Sequence, residues 1–192
     1  MAHNYSRINI WMSVRILDSL VSGILARPSG FSGISFDELD SHIDTMYISD
    51  GDEERSLHAQ YRLVGIMDHV VQRVYSTRTV SVVAAEDLLR QLHRWSRCTP
   101  GILEPEFYPA HGQPRACLLA SLGVACVFYF TVTLVVRPFY ISTLSAHMER
   151  LEEDPAHRRL ASTCVEYAIL LLRMCLEAQE EGLLYTNMFI MK

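Results

Sequence analysis

Apolar residues recur every three or four positions between residues 8 and 26, which is the spacing of one face of an α-helix. The members of this stripe are Ile10, Val14, Leu17, Val21 and Ile24. Trp11, Ile16 and Leu20 add apolar surface beside the stripe. The pattern therefore predicts a helix over about 8–26 that is buried on more than one side.

Three later segments have the same periodicity and predict helices over about 53–75, 82–97 and 154–182. The last begins at Asp154-Pro155, a favourable cap followed by proline at the first helical position. The stretches 28–52 and 98–115 are rich in glycine and proline and predict loops. With these elements the chain is expected to be an all-α, multi-helix domain.

A fifth helix is predicted over 116–136 from a different signal. Cys117 to Val136 carry no charge between Arg115 and Arg137, and most of these residues are apolar. A transmembrane span and a fully buried central helix both produce such a run. Hydropathy alone leaves both alternatives open.

Composition narrows the classes of function. The chain has 192 residues, a formal net charge of −5 and 20% charged residues. One domain fits this length, and the acidic balance argues against a free-standing nucleic-acid-binding module. The low charge content indicates large faces that are buried or covered by partners. Five cysteines lack the spacing of a zinc site or a redox pair and are expected to be reduced, intracellular core residues.

No motif for catalysis, cofactor binding or metal binding emerges from the residues. Cys98 and His93 lack an orienting third group, so they do not make a nucleophile and base. The acidic cluster at 50–54 lacks the glycine and the distal glutamate of a calcium loop. Cys164 and Cys175 are expected to pack in the core. The protein is therefore predicted not to be an enzyme, and catalysis is kept only as the last of three alternatives.

Five segments, in order, resemble motifs of the fungal-specific transcription factor domain, the regulatory region of fungal zinc binuclear-cluster regulators. The first is a Trp-led helix that ends in a turn in which this chain has alanine where the family has glycine. The second, at 34–40, resembles an acidic stretch, and the fifth resembles a helix around 164–168. The motif residues are Trp11, Asp18, Arg27, Pro28, Trp95, Pro100, Arg137, Pro138 and Phe139.

The resemblance implies an all-α regulatory domain in which 117–136 is the central buried helix. It also implies a regulator of RNA polymerase II transcription located in the nucleus, with the cytoplasm as the alternative. The zinc cluster that contacts DNA is absent from these 192 residues, so zinc is expected only in a full-length protein and the domain is expected to be incomplete at both ends. The runner-up is a small single-pass membrane protein.

Partners implied by this interpretation are other parts of a full-length regulator, the transcription machinery, a second copy or a small-molecule inducer. Arg90, Arg94 and Arg97 lie on one helix face and are either a solvated face or a contact for an acidic partner. Asp18 is expected to pair with Arg27 or Arg137. One further set of side chains is expected either to fill the core or to line an inducer pocket: Phe128, Tyr129, Phe130, Met174 and Met188.

Overall fold

The structure, a computed structural model, describes residues 2–31, 43, 52–75, 81–99, 103, 115–149 and 154–184. These residues form five helices and contain no strand, which confirms the all-α prediction. The helices are α1 (Ala2–Ile24), α2 (Asp52–Val70, continued by a π-helical turn, Val71–Tyr75), α3 (Val82–Cys98), α4 (Arg115–Met148) and α5 (Pro155–Glu180).

Helix α4 is the centre of the fold. It packs along α5 and α2 and also contacts α3, while α1 packs mainly on α2. Its buried residues include Leu134, Val135 and Phe139, and they join side chains of α2 and α3 in one core. The sequence predicted this central helix, but it ends at Met148 rather than near residue 136.

The continuation of α4 through Pro138 has a specific structural cause. A proline in a helix lacks the N–H that would bond the carbonyl four residues earlier, here that of Leu134. The Tyr75 hydroxyl, at the end of the π-helical turn, donates a hydrogen bond to this carbonyl at 2.9 Å. The carbonyl that Pro138 leaves free is therefore satisfied, and the helix does not have to stop.

Helices α1 and α5 end in the same backbone motif. After α5, Gly182 has a φ of 65° and donates its N–H to Gln179, while Leu183 donates to Ala178. This is the Schellman arrangement, in which a left-handed residue closes the last turn. At the start of α5, the Asp154 side chain accepts a hydrogen bond from the Ala156 N–H at 2.8 Å, as its sequence predicts.

The side of α1 that packs against the fold is not the one that the apolar spacing suggests. Met12 and Ile16 are buried together with Ser19, Ser22 and Gly23. All five residues of the predicted stripe are exposed, with between 46% and 65% of their surface accessible to solvent. The expectation that α1 is buried on more than one side is therefore wrong for this face.

Candidate functional site

Helix α1 exposes a stripe of large aliphatic side chains, which we call the α1 stripe. Its members, Ile10, Val14, Leu17, Val21 and Ile24, follow each other every three or four residues. At a rise of about 1.5 Å per residue the stripe is about 21 Å long. A continuous apolar row of this kind on a surface is typical of a site that another protein segment covers.

Small side chains explain why the opposite face of α1 is the buried one. A Cβ added to Gly23 would lie 3.1 Å from the sulfur of Met67 on α2 and 3.4 Å from a methyl carbon of Leu134 on α4. Ser19 and Ser22, on the same face, are also small and buried. The helix can therefore approach α2 closely through this side, while the branched residues of the stripe are left outside.

Polar contacts hold α1 in this orientation. The Ser19 hydroxyl donates a hydrogen bond to the Asp68 carboxylate of α2 at 3.2 Å. The Arg15 guanidinium donates to the Tyr61 hydroxyl at 2.8 Å and lies 5.0 Å from the centre of that ring. Burial raises the pKa of Asp68, and the Ser19 hydrogen bond and the Arg15 charge oppose this effect.

The motif residues of α1 organise the chain that follows it. The carboxylate of Asp18 accepts a hydrogen bond from the Gly30 N–H at 2.8 Å. Trp11 meets Phe31 edge to face, with the ring centres 5.1 Å apart. Among the described residues Asp18 forms no ion pair with Arg27 or Arg137, so the predicted pairing is wrong, because the returning chain supplies a backbone donor instead.

Ala26 is the residue that closes the last turn of α1. Its φ is 51°, in the left-handed region that favours glycine. Its N–H bonds the Gly23 carbonyl, and the Arg27 N–H bonds the Ser22 carbonyl. Glycine is the usual residue in this conformation at the end of a helix, and Pro28 follows directly.

The Arg137-Pro138-Phe139 segment lies within α4, with Arg137 exposed and Phe139 buried. Phe139 is buried and meets the His157 ring of α5 edge to face at 5.1 Å. Burial raises the pKa of Tyr75. The Arg137 guanidinium, beside the Tyr75 hydroxyl, opposes this effect without cancelling it. The hydroxyl donates its hydrogen bond to the Leu134 carbonyl of α4. Tyr75 is a residue that the sequence reasoning missed, although a proline within an apolar helix signals that a donor is needed.

Trp95 of α3 packs on the aromatic residues of α4. Its ring stacks on Phe128 with the centres 5.8 Å apart, and Phe128 in turn contacts Tyr129 and Tyr167 edge to face. The rings therefore pack against one another between α3, α4 and α5, and Phe130 packs against the same core. Two predicted residues, Pro100 of the motif set and Met188 of the inducer set, lie outside the described residues.

The three arginines predicted as a partner face are exposed along α3. Arg90 contacts the Asp87 carboxylate at 3.5 Å, and Arg73 of the π-helical turn contacts the same carboxylate at 3.3 Å. Arg94 and Arg97 have no ion-pair partner among the described residues. The positive character of this face therefore comes mainly from its C-terminal half.

The cysteines are distributed between surface and core. Cys98 is exposed, and His93 lies 3.3 Å from the Tyr167 hydroxyl rather than forming a pair with the thiol. Burial, with Cys175 alongside, raises the pKa of Cys126 to about 12. In the part of the chain that the structure describes, no three His, Cys, Asp or Glu side chains come together to hold a metal ion. The predicted absence of catalysis, cofactor and metal stays a prediction.

Comparison with known proteins adds no relative to this picture. No protein-family model, no curated protein and no solved structure matches the chain.

Proposed function

We propose that this chain is a non-catalytic regulatory part of a fungal transcription factor, controlling RNA polymerase II transcription through a partner that covers the α1 stripe. The observation that carries the proposal is the location of this stripe. It lies on the helix that has the longest motif of the resemblance, with Trp11 and Asp18 on it and the turn at 26–28 at its end.

The backbone of two motif segments supports the same proposal. Ala26 adopts the conformation of the glycine in the family pattern. Pro138 is accommodated inside a helix by a hydrogen bond from a separate element to the Leu134 carbonyl. The first feature is a local turn closed by backbone hydrogen bonds, and the second is a contact between α4 and the π-helical turn after α2.

Partner binding is the activity that these surfaces suit. An apolar row about 21 Å long can bind an amphipathic helix of the transcription machinery or of the remainder of a regulator. Separately, the exposed Arg94 and Arg97 of α3 would attract an acidic partner in a salt-sensitive way. DNA contact would come from a zinc cluster elsewhere in a full-length regulator, acting in the nucleus.

The alternative, a single-pass membrane protein, would use α4 as its span. This helix is long and apolar enough to cross a membrane, and 56% of its most apolar 18-residue segment is buried in the fold. Burial against α2, α3 and α5 supports the role of a core helix. The regulatory proposal predicts that alkaline carbonate releases the protein from cell membranes, whereas a span would resist extraction.

A tethering experiment tests the regulatory function. The chain would be fused to an unrelated DNA-binding domain and its effect on a reporter gene measured in yeast. We expect the wild-type fusion to change reporter expression severalfold and Leu17→Asp, in the α1 stripe, to abolish the change. Val83→Asp is the matched control, because Val83 is exposed and apolar on α3, outside the stripe.

Two results would contradict the proposal. One is a wild-type fusion that leaves the reporter unchanged although it accumulates in the nucleus. The other is equal activity of the Leu17→Asp and Val83→Asp fusions, since the stripe would then have no special part. Circular dichroism of the purified variants confirms that each one is folded.

A further inference from the structure

The outer face of α5 has a second exposed apolar row, called the α5 stripe. Its members are Val165, Ile169, Leu172 and Leu176, spaced four, three and four residues apart. This is the spacing of the contact positions of a two-helix coiled coil. The opposite face of α5, with Leu160, Cys164 and Met174, is the one that packs in the fold, so the stripe is left for another helix.

One edge of the α5 stripe has a row of charges of alternating sign, called the α5 charge row. Its members are Arg159, Glu166, Arg173 and Glu180, each seven residues after the one before. All four are exposed, and in the part of the chain that the structure describes Glu166, Arg173 and Glu180 have no ion-pair partner. Arg159 already contacts Glu86 of α3.

From this arrangement we infer that α5 pairs with α5 of a second copy, antiparallel and about a two-fold axis. With Ile169 opposite Leu172 of the second copy, Val165 lies opposite Leu176, so the two stripes cover each other. The charge rows then run side by side in opposite directions. Glu166 of each copy meets Arg173 of the other, and Glu180 meets Arg159, so every facing pair attracts.

A parallel pair would not use these charges. In a parallel coiled coil the charge row of one helix faces the opposite edge of the other stripe. On α5 that edge consists of Ala161, Ala168 and Cys175, which have no charge to offer. The alternating row therefore favours the antiparallel orientation.

The α1 stripe has no comparable row of alternating charges along its edge. The equivalent edge has Trp11 and Asp18 of α1 and Leu25 directly after it, so it offers no opposite charge with which Asp18 could pair in an antiparallel arrangement. Its carboxylate is also bound to the Gly30 N–H. Self-association is thus assigned to α5, and it does not depend on the regulatory function proposed for the α1 stripe.

The oligomeric state of the full 192-residue chain tests this inference, measured by sedimentation equilibrium over a range of concentrations. We expect a dimer, and we expect Leu172→Asp to weaken it about 100-fold or more, because each dimer would bury two carboxylates in an apolar contact. Leu17→Asp is the matched control: Leu17 is 62% exposed and Leu172 64%, but only the latter is in the α5 stripe. The control should remain dimeric.

Charge reversal tests the orientation and does not require a change in the apolar face. Glu166→Arg and Arg173→Glu, made singly, should each weaken the dimer about tenfold, because attraction becomes repulsion at two symmetric places. The double variant should restore wild-type affinity. Both positions are exposed, so the charge reversals are expected to leave the fold intact. They therefore test the α5 pairing even if circular dichroism shows that Leu172→Asp is unfolded.

A chain that stays monomeric at all concentrations, or a dimer that survives Leu172→Asp in folded protein, would overturn the α5 pairing. A dimer that Leu172→Asp breaks but that charge reversal leaves unchanged would overturn the antiparallel arrangement. Either failure leaves the reporter test of the α1 stripe unaffected.

Discussion

Helices α1 and α4 are both apolar and both have motif residues, but they use their apolar surface in opposite ways. Helix α4 is apolar around its circumference, and α2, α3 and α5 surround it. Helix α1 has a regular apolar stripe that is exposed and a buried face that includes Ser19, Ser22 and Gly23. Regular spacing identified α1 and an uncharged apolar run identified α4, but neither signal identified the buried face of its helix.

The difference shows what decides burial in this fold. A helix that is apolar on all sides has no polar face to present to water, so it occupies the centre. A helix with one apolar and one small-residue face can pack through either, and α1 packs through the side that allows the closest approach to Met67 and Leu134. The exposed stripe is then available to a partner.

The largest expected effect separates the two faces of α1. Met12 is fully buried and Leu17 is 62% exposed. We expect Met12→Ala to lower the free energy of unfolding by about 2–5 kcal/mol, because it leaves a cavity, and Leu17→Ala to change it by less than about 0.5 kcal/mol. Urea unfolding followed by circular dichroism measures both. Equal losses for the two variants would show that the stripe is core.

The next effect concerns the proline in α4. Tyr75→Phe removes the donor to the Leu134 carbonyl and should cost about 1–3 kcal/mol of stability, since a buried acceptor loses its partner. In a Pro138→Ala background the helix supplies its own N–H, so the same change should cost clearly less. The double-mutant cycle from urea unfolding gives the coupling. Identical costs in both backgrounds would contradict this role of Tyr75.

Smaller changes in stability, of opposite sign, are expected at the C-terminal ends of α1 and α5. Ala26 and Gly182 both have positive φ, at 51° and 65°. Ala26→Gly should raise stability by about 0.5–1 kcal/mol and Gly182→Ala should lower it by about 1 kcal/mol, because only glycine is unstrained there. An added Cβ at Gly182 would meet no atom within 4 Å, so backbone strain alone is measured. Thermal unfolding of both variants should show shifts of opposite sign.

The smallest effect depends on pH and concerns the polar side of α1. Burial raises the pKa of Asp68 above its ordinary value of 3.8, so the folded state holds this proton more tightly than the unfolded state. The contribution of Asp68 to stability is therefore greatest below pH 3.8 and is lost as the pH rises through the raised pKa.

Asp68→Asn has no such proton to lose, and an amide oxygen can still accept from Ser19. We expect the variant to melt at a higher temperature than wild type at pH 7 and this advantage to shrink in acid. A difference that grows as the pH falls would have the wrong sign for a carboxyl destabilised by burial.

Local signals were enough to locate the helices. Asp154-Pro155 marked the start of α5, and Gly182 marked its end, because both act through contacts within a few residues. The uncharged run before Arg137 indicated a helix, but hydropathy alone did not decide between a membrane span and the centre of the fold. Its length was underestimated, because the donor that lets the helix continue past Pro138 comes from Tyr75, in a different element.

The candidate site was less accessible to sequence reasoning. The motif residues at the end of α1 were identified, but not the contact between Asp18 and the Gly30 N–H, which depends on how the chain returns. The α5 stripe and charge row are visible in the residue spacing, yet nothing in the spacing shows which face of α5 is covered. Exposure is a property of the packed fold.

The sequence alone was thus enough to predict an all-α chain, eight of the ten helix termini to within two residues, and one apolar helix suited to the centre, because propensity, capping and hydropathy are local properties. Only the packed fold shows which faces of α1 and α5 are exposed and why α4 continues as a helix beyond Pro138. These features depend on side chains that are distant in sequence, because Gly23 of α1 packs closely against Met67 of α2 and the Leu134 carbonyl of α4 accepts its hydrogen bond from Tyr75.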